Sequence, residues 1–153
     1  MANQAYERGI AGKKMQLTVT TDYAIRIIMY LAKTKRVASA GEISEKVGIA
    51  KKSLLATANK LRSANLITGH MGVSGGYSLL QKPENITILD ILKVTEGPLK
   101  IMRCQEHGQF CSCFAAQECP THSFYREVQE KLERQFEETT IQKLIDGSKK
   151  DTQ

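Results

Sequence analysis

The sequence lacks any apolar run that approaches the ~18 residues of a membrane-spanning helix. Its longest candidate, residues 24–32, is short and contains Arg26. The N-terminal segment MANQAYERGIAGKK also lacks the apolar stretch of a secretory signal peptide. We therefore expect a cytoplasmic protein without a membrane partner, in which residues 1–14 are a disordered extension or a cloning remnant.

Cysteine is absent from residues 1–103, and all 4 cysteines lie in the segment CQEHGQFCSCFAAQECPTH, residues 104–122. A reducing compartment disfavours structural disulfides, so clustered thiols indicate a metal site or a redox role. The spacings C-x₆-C, C-x-C and C-x₅-C match the usual zinc pairs poorly, whereas an iron–sulfur cluster needs several thiolates on a pliable loop. The chemistry alone leaves iron–sulfur and zinc nearly even. Because no Cys-x-x-Cys pair or adjacent base is present, we expect no enzymatic activity.

Acidic residues are scarce in the first two thirds of the chain. Residues 13–103 carry 15 Lys or Arg against 6 Asp or Glu, a net charge of +9, whereas residues 104–153 carry 6 against 9, a net charge of −3. A basic front part suits a polyanion such as nucleic acid, and an acidic rear part does not. Charge alone is also compatible with a merely solvated basic surface.

The pattern of residues 15–100 predicts a mainly α-helical domain with a small β wing. Residues 17–33 read as a helix capped by Thr20 or Thr21, and two further helices, near residues 39–47 and 51–64, meet at Gly48. That pair describes a helix-turn-helix, and the glycine-rich stretch LITGHMGVSGGYSLL after it predicts a hairpin, the wing. Thr87 is expected to cap a further helix.

A helix-turn-helix places the start of its second helix against base edges in the DNA major groove. We therefore expect a double-stranded DNA operator as partner, contacted by Lys51, Lys52, Ser53 and, one turn later, Thr57. The wing would reach the adjacent minor groove or backbone through His70, Ser74 and the amides of Gly75 and Gly76.

The C-terminal part is predicted to contain a long helix. Along residues 121–138, four apolar residues recur at i+4 spacing: Phe124, Val128, Leu132 and Phe136. We expect a short helix capped by Thr140 to follow, which gives a unit of residues 121–146 before a flexible tail, 147–153. The apolar stripe favours a homodimer, which would match the two-fold symmetry of an operator, over packing back onto the winged domain. Residues 101–120 form the cysteine-rich loop between the two parts.

Three stretches resemble the Rrf-two family of transcriptional regulators: MQLTVTTDYAIRIIMYLA, GVSGGYSL, and C-x₈-C-x₅-C-x₂-H, which ends at His122. The resemblance covers residues 15–146. It implies a homodimeric winged helix-turn-helix protein with a long dimerisation helix. It also implies an iron–sulfur cluster that senses iron–sulfur status, oxidants or nitric oxide and controls DNA affinity. The family also contains clusterless regulators that respond to thiols, zinc or a partner.

Carried over to this chain, the resemblance assigns the cluster cysteines as Cys104, Cys113 and Cys119, and a small loop shift would substitute Cys111 for Cys113. Three cysteines leave a fourth cluster ligand open. His122 matches the [2Fe–2S] branch of the family, which we favour. Asp22 matches the nitric-oxide-sensing branch, in which an aspartate of the opposite subunit completes a [4Fe–4S] cluster, and His107 is a weaker candidate.

Two positions depart from the family's pattern. Met71 stands where the wing commonly carries an arginine, and Ala50 stands where many members have a serine that caps the second helix of the motif. Both departures predict an unusual operator or weaker DNA binding rather than a different fold.

Overall fold

The computed structural model describes residues 16–102 and 119–148. Within these ranges it confirms the expected class, a mainly α-helical fold with a small β wing. The helices and strands, in chain order, are α1 (Val19–Thr34), α2 (Ala40–Val47), α3 (Lys51–Ser63), β1 (Ile67–His70), β2 (Gly76–Leu79), a short 3₁₀ helix (Pro83–Asn85), α4 (Ile88–Thr95), α5 (Pro120–Glu138) and α6 (Ile141–Gly147).

Helix α1 lies at the centre of the core, where its buried face contacts α3, α4 and α6. Neither Thr20 nor Thr21 caps it, because the helix already begins at Val19 and Thr21 is buried inside it. Instead, the carboxylate of Glu96 accepts hydrogen bonds from the Thr18 amide at 2.7 Å, from the Thr18 hydroxyl at 2.8 Å, and from the Thr21 hydroxyl. A residue just beyond α4 thus satisfies the N-terminus of α1.

The charged state of Glu96 is favoured at this position. Burial raises the pKa of its carboxyl group, but the hydrogen bonds from Thr21 and Thr18 outweigh burial and hold the pKa below its ordinary value. A negative side chain at a helix N-terminus also complements the helix dipole. The contact therefore ties the end of α4 to the start of α1.

Helices α2 and α3 form the predicted helix-turn-helix. The Ser39 hydroxyl accepts a hydrogen bond from the Glu42 amide at 3.1 Å, which caps α2. Gly48 ends α2 at a φ of +68°, a conformation that glycine adopts without steric cost. Buried Ile49 then turns the chain into α3.

Strands β1 and β2 pair antiparallel as the wing, with Ile67 opposite Leu79 and His70 opposite Gly76. The base of the wing is fixed to the body by two hydrogen bonds, from the Ala38 amide to the Tyr77 carbonyl at 2.9 Å and from the Tyr77 amide to the Ala38 carbonyl at 2.8 Å. A Cβ at position 76 would lie 2.1 Å from the Ala38 carbonyl oxygen, so only glycine permits this approach.

The terminal helix α6 belongs to the core of the winged domain. Its Ile141 and Ile145 are buried in the same cluster as α1, and the Ile141 amide donates to the Ile86 carbonyl at 2.9 Å. The sequence grouped this helix with α5 as one C-terminal unit, and its packing revises that grouping. Thr140 caps α6 as predicted, and Thr87 caps α4 through a reciprocal pair with Asp90.

Some predictions fall on residues outside the described ranges. These are the extension 1–14, most of the cysteine-rich loop 101–120, and the tail beyond residue 148, whereas Gly147 still belongs to α6. Among the helices of residues 16–102 and 119–148, none combines the length and apolar character needed to cross a bilayer.

Candidate nucleic-acid interface and cysteine segment

The first turn of α3 presents positive charge to solvent. Lys51 and Lys52 are both exposed there, Ser53 is half-buried, and the turn contains no acidic side chain. Ala50 supplies no side-chain cap, as the sequence indicated. The partial positive charge of the helix N-terminus therefore adds to two lysine charges, an arrangement that attracts phosphate.

Thr57 does not fit the predicted DNA surface. Its side chain is only 3% exposed, and its hydroxyl donates to the Ser53 carbonyl at 2.9 Å. It follows Leu54 by three residues and therefore lies on the apolar side of α3, which packs on the core. We correct its role to core packing.

The exposed face of α3 contains further polar and basic residues that the sequence analysis did not assign. Asn59, Lys60 and Arg62 are all exposed. The sequence spacing could have indicated this face. Asn59 follows Lys52 by seven residues, or two helical turns, and so lies on the same side of the helix. Arg62 differs from the other two because it reaches the wing.

A cleft of about 430 Å³ lies between the wing, Arg62 and Ala40 at the start of α2. A Cβ added at Gly69 would lie 3.6 Å from Nη1 of Arg62, so the guanidinium lies against β1. The guanidinium of Arg62 and the backbone of the wing therefore meet at this cleft. The combination suits the phosphate backbone of a nucleic acid.

The predicted wing residues divide into two groups. His70 and Ser74 are exposed, and Nε2 of His70 lies 2.8 Å from the Ser78 hydroxyl oxygen. The amide of Gly75 donates to the Gly72 carbonyl at 3.0 Å, so it is occupied within the turn, and Gly76 is required by the contact with Ala38. We therefore revise Gly75 from a DNA contact to a residue that closes the turn, whereas a DNA contact of Gly76 stays a prediction.

The C-terminal end of the cysteine segment is described, and it begins α5. Cys119 is the N-cap residue of this helix and is half-buried, and its carbonyl accepts the Ser123 amide at 3.2 Å. His122, also half-buried, follows one turn later. The predicted ligands Cys104, His107, Cys111 and Cys113 lie outside the described residues. Within residues 16–102 and 119–148, no three potential metal ligands are grouped together.

Asp22, the alternative fourth ligand, is exposed on the first turn of α1. Its carboxylate forms an ion pair with Arg26 at 2.8 Å, one helical turn away, and both side chains are half-exposed. Such a surface pair is weak, so the carboxylate could exchange partners at small cost.

Residues 99–101, which precede the cysteine segment, are held against α5 by Gln129. This side chain is 4% exposed, its amide oxygen accepts the Ile101 amide at 3.0 Å, and its amide nitrogen donates to the Leu99 carbonyl at 2.5 Å. Residues 99–101 and Cys119 thus both contact the same helix.

The apolar stripe of α5 changes in exposure along the helix. Phe124 is 59% exposed and Val128 is 36% exposed, whereas Leu132 is half-buried and Phe136 packs against the core. The second half of the stripe therefore packs back on the winged domain, which was the alternative to a homodimer. The first half has an apolar face in solvent.

Comparisons with known proteins agree with this architecture. The sequence matches the Rrf2 (Rrf-two) family, described as iron-dependent transcriptional regulators, over residues 17–147. A provisionally named HTH-type transcriptional regulator of Aquifex aeolicus (strain VF5) is 30% identical over 132 residues, which are 86% of this chain and 92% of that protein.

Solved structures show the same fold. CymR, the global cysteine regulator of B. subtilis, has a TM-score of 0.65 at 25% identity, over 85% of this chain and 95% of that chain. T. potens IscR has a TM-score of 0.70 at 22% identity, over 92% and 93% of the two chains. The family match spans nearly all of the described residues, including the helix-turn-helix, the wing and α5. The chain therefore belongs to the Rrf2 family of winged helix-turn-helix transcriptional regulators.

Proposed function

We propose that this regulator acts as a homodimer that binds operator DNA through α3 and the wing, with an affinity controlled by an iron–sulfur cluster on Cys104, Cys113 and Cys119. The observation that carries the proposal is the position of Cys119. It is the N-cap residue of α5, and α5 packs against α4 of the DNA-binding domain. A change at the cysteine segment can therefore reach the DNA-binding surface through a single helix.

The DNA-binding part of the proposal rests on the charge and exposure of α3. Lys51 and Lys52 would reach phosphates or guanine acceptors in the major groove, and Ser53 would bond a neighbouring acceptor or donor. Arg62 would hold the phosphate backbone where the wing meets α2. This division of roles separates positioning contacts from base readout.

The dimer part rests on α5. Phe124 and Val128 present apolar surface beyond the region that packs on the core. Pairing this half of the helix with its copy in a second subunit would remove that surface from water. Two-fold symmetry would then position the α3 helices of the two subunits to enter successive major grooves of the DNA.

The described donors fit an iron–sulfur cluster. A thiolate and an imidazole one helical turn apart, both half-buried at the start of α5, are ligand types that iron–sulfur clusters accept. When bound, the cluster would supply a redox-sensitive and nitric-oxide-sensitive centre. We favour [2Fe–2S] with His122 as the fourth ligand over [4Fe–4S] with Asp22.

The chain's own residues would transmit the state of the cysteine segment. Gln129 fixes residues 99–101 to α5, and Cys119 begins the same helix. The far end of α5 leads into residues 139–141, which pair with residues 86–88 of the winged domain. Cluster binding to the segment would therefore set the direction of α5 relative to α3.

The test is anaerobic purification of the full chain, with visible and Mössbauer spectroscopy and assays of iron and sulfide. DNA binding is then measured before and after cluster removal, on duplexes selected by the protein from a random-sequence pool. A brown protein whose DNA affinity changes on cluster loss is the expected result. A colourless protein with stoichiometric zinc and no sulfide would overturn the cluster.

The alternative is a clusterless regulator of the same fold that uses its cysteines as a thiol switch or zinc site, or responds to a partner protein. The 25% identity to CymR, a regulator named for cysteine, supports this alternative. Assays of iron, sulfide and zinc separate the cluster from a thiol switch or zinc site. Cys→Ser changes at positions 104, 113 and 119 that leave the regulation of DNA binding intact would favour the partner-responsive form of the alternative.

A further inference from the structure

The tip of the wing exposes two apolar side chains. Met71 and Val73 are 101% and 110% exposed relative to the free residue, the highest values among the exposed large apolar side chains of the described residues. They flank Gly72 at the turn between β1 and β2. When a partner removes such exposed apolar groups from water, the free energy of the complex is lowered.

The tip is held in a defined place. Gly72 adopts a φ of +104° and its carbonyl accepts the Gly75 amide at 3.0 Å, which closes the turn. Below it, His70 pairs with Gly76, and the bridge between Ala38 and Tyr77 fixes the wing to the body. The two apolar side chains are therefore presented on a structured hairpin and need little ordering to bind.

A basic side chain lies beside the tip, because Arg62 lines the cleft that also contains Met71. Lys51 and Lys52, at the start of α3, add positive charge to the same winged domain. A polyanion is the partner that these charges select. An apolar tip beside phosphate-binding residues has a known use on DNA, where Met, Leu, Ile or Phe side chains enter the minor groove and partly unstack a base step.

We propose that Met71 and Val73 form an apolar wedge that enters the DNA minor groove and reads the deformability of a base step. The inference rests on the proposed DNA binding and adds a determinant of specificity to it. The wedge selects flexible pyrimidine–purine steps, because these unstack at the lowest cost. It contributes no charge, so its effect on affinity does not depend on salt.

The test compares the full-length wild type with the double variant Met71→Ser/Val73→Ser on duplexes that the wild type has selected from a random pool. Affinity is measured by fluorescence anisotropy over a salt series, and bending by the mobility of circularly permuted duplexes. We expect about tenfold weaker binding, equal to about 1.4 kcal/mol, with an unchanged salt slope and less bending.

Two controls accompany the double variant. Leu80→Ser changes an apolar residue that is 54% exposed at the base of the wing and should bind as the wild type does. Met71→Arg replaces the wedge by a charge and should steepen the salt slope by about 0.9. Selected duplexes should contain a pyrimidine–purine step at the wing position, and the double variant should lose that preference.

Wild-type affinity, bending and step preference in the double variant would overturn the wedge while leaving DNA binding intact. Binding of the wild type, but not the double variant, to vesicles of phosphatidylcholine and phosphatidylglycerol in preference to DNA would also overturn it. If the wild type selects no duplex at all, the proposed function itself fails. Lys52→Ala tests DNA binding by α3 alone, so loss of affinity in that variant shows that DNA binding holds even if the wedge fails.

Discussion

The amide nitrogen of Gln129 donates to the carbonyl of Leu99 at 2.5 Å, and this bond joins the chain just before the cysteine segment to the helix just after it. The same side chain also accepts the Ile101 amide and donates to Glu133 at 2.6 Å. One buried amide therefore satisfies two backbone groups that are 28 and 30 residues away. It fixes residues 99–101, which precede the cysteine segment, to α5.

The change Gln129→Leu should lower the free energy of unfolding by about 1–3 kcal/mol, because it leaves a backbone donor and a backbone acceptor unsatisfied. Urea denaturation measures this effect. The matched control is Gln135→Leu, an exposed position on the same helix, which should change stability by less than about 0.5 kcal/mol. Equal stability of the two variants would contradict the role of Gln129.

The acid side of the stability profile should depend on Glu42. Its carboxylate accepts hydrogen bonds from Arg36 and from Tyr30, which lower its pKa from 4.5 to about 2. Because the folded pKa is the lower one, this contribution is complete above pH 4.5 and is lost as the pH falls towards 2. Urea denaturation across that range should show a shallower pH dependence for Glu42→Gln.

The partners of Glu42 provide an internal check on that profile. Since the bond from Arg36 is the largest cause of the lowered pKa, Arg36→Gln should flatten the profile more than Tyr30→Phe. A larger effect of Tyr30→Phe than of Arg36→Gln would contradict the dominant role of the Arg36–Glu42 bond.

The change Gly76→Ala should destabilise the protein by about 1–3 kcal/mol, because backbone must shift to admit the new methyl group. The cause is the Ala38 carbonyl, which lies 2.1 Å from the position of that methyl carbon. Gly147→Ala is the control, since no atom lies within 4 Å there, and it should gain up to about 1 kcal/mol of helix propensity. Thermal unfolding of both variants checks the prediction.

If the start of α3 contacts DNA, Lys52→Ala should weaken binding and reduce the salt slope by about 0.9, the contribution of one phosphate contact. A contact to a base edge would instead change sequence preference. Lys131→Ala on α5 removes the same charge far along the chain and serves as control. An unchanged slope for Lys52→Ala excludes a phosphate contact by that side chain.

The fourth ligand can be identified by spectroscopy of the anaerobic protein. We expect His122→Ala to alter the visible and Mössbauer spectra, because the imidazole lies one helical turn after Cys119. Asp22→Ala should leave the spectra unchanged and only remove the ion pair with Arg26. A spectrum altered by the Asp22 change alone would show that the assignment to His122 is wrong.

Much of the fold follows from local signals. Gly48 ends α2, Thr87 caps α4 and Thr140 caps α6 because each interaction involves residues within one or two turns, which the sequence displays directly. The helix-turn-helix and wing followed from the same kind of evidence. The burial of Thr57 was also readable, because its spacing from Leu54 matches the apolar period, but its hydroxyl suggested a DNA contact.

What the sequence by itself determined about this protein is the approximate bounds of α1, α2, α3 and α5, the presence of the wing, the basic character of the front part and the clustering of the cysteines. Tertiary structure alone decided that Glu96 binds the start of α1 from 78 residues away, that α6 completes the core, and that Gln129 holds residues 99–101 against α5. Local propensities depend on neighbours along the chain. A hydrogen bond between distant residues exists only once packing has brought them together, and no local pattern encodes that distance.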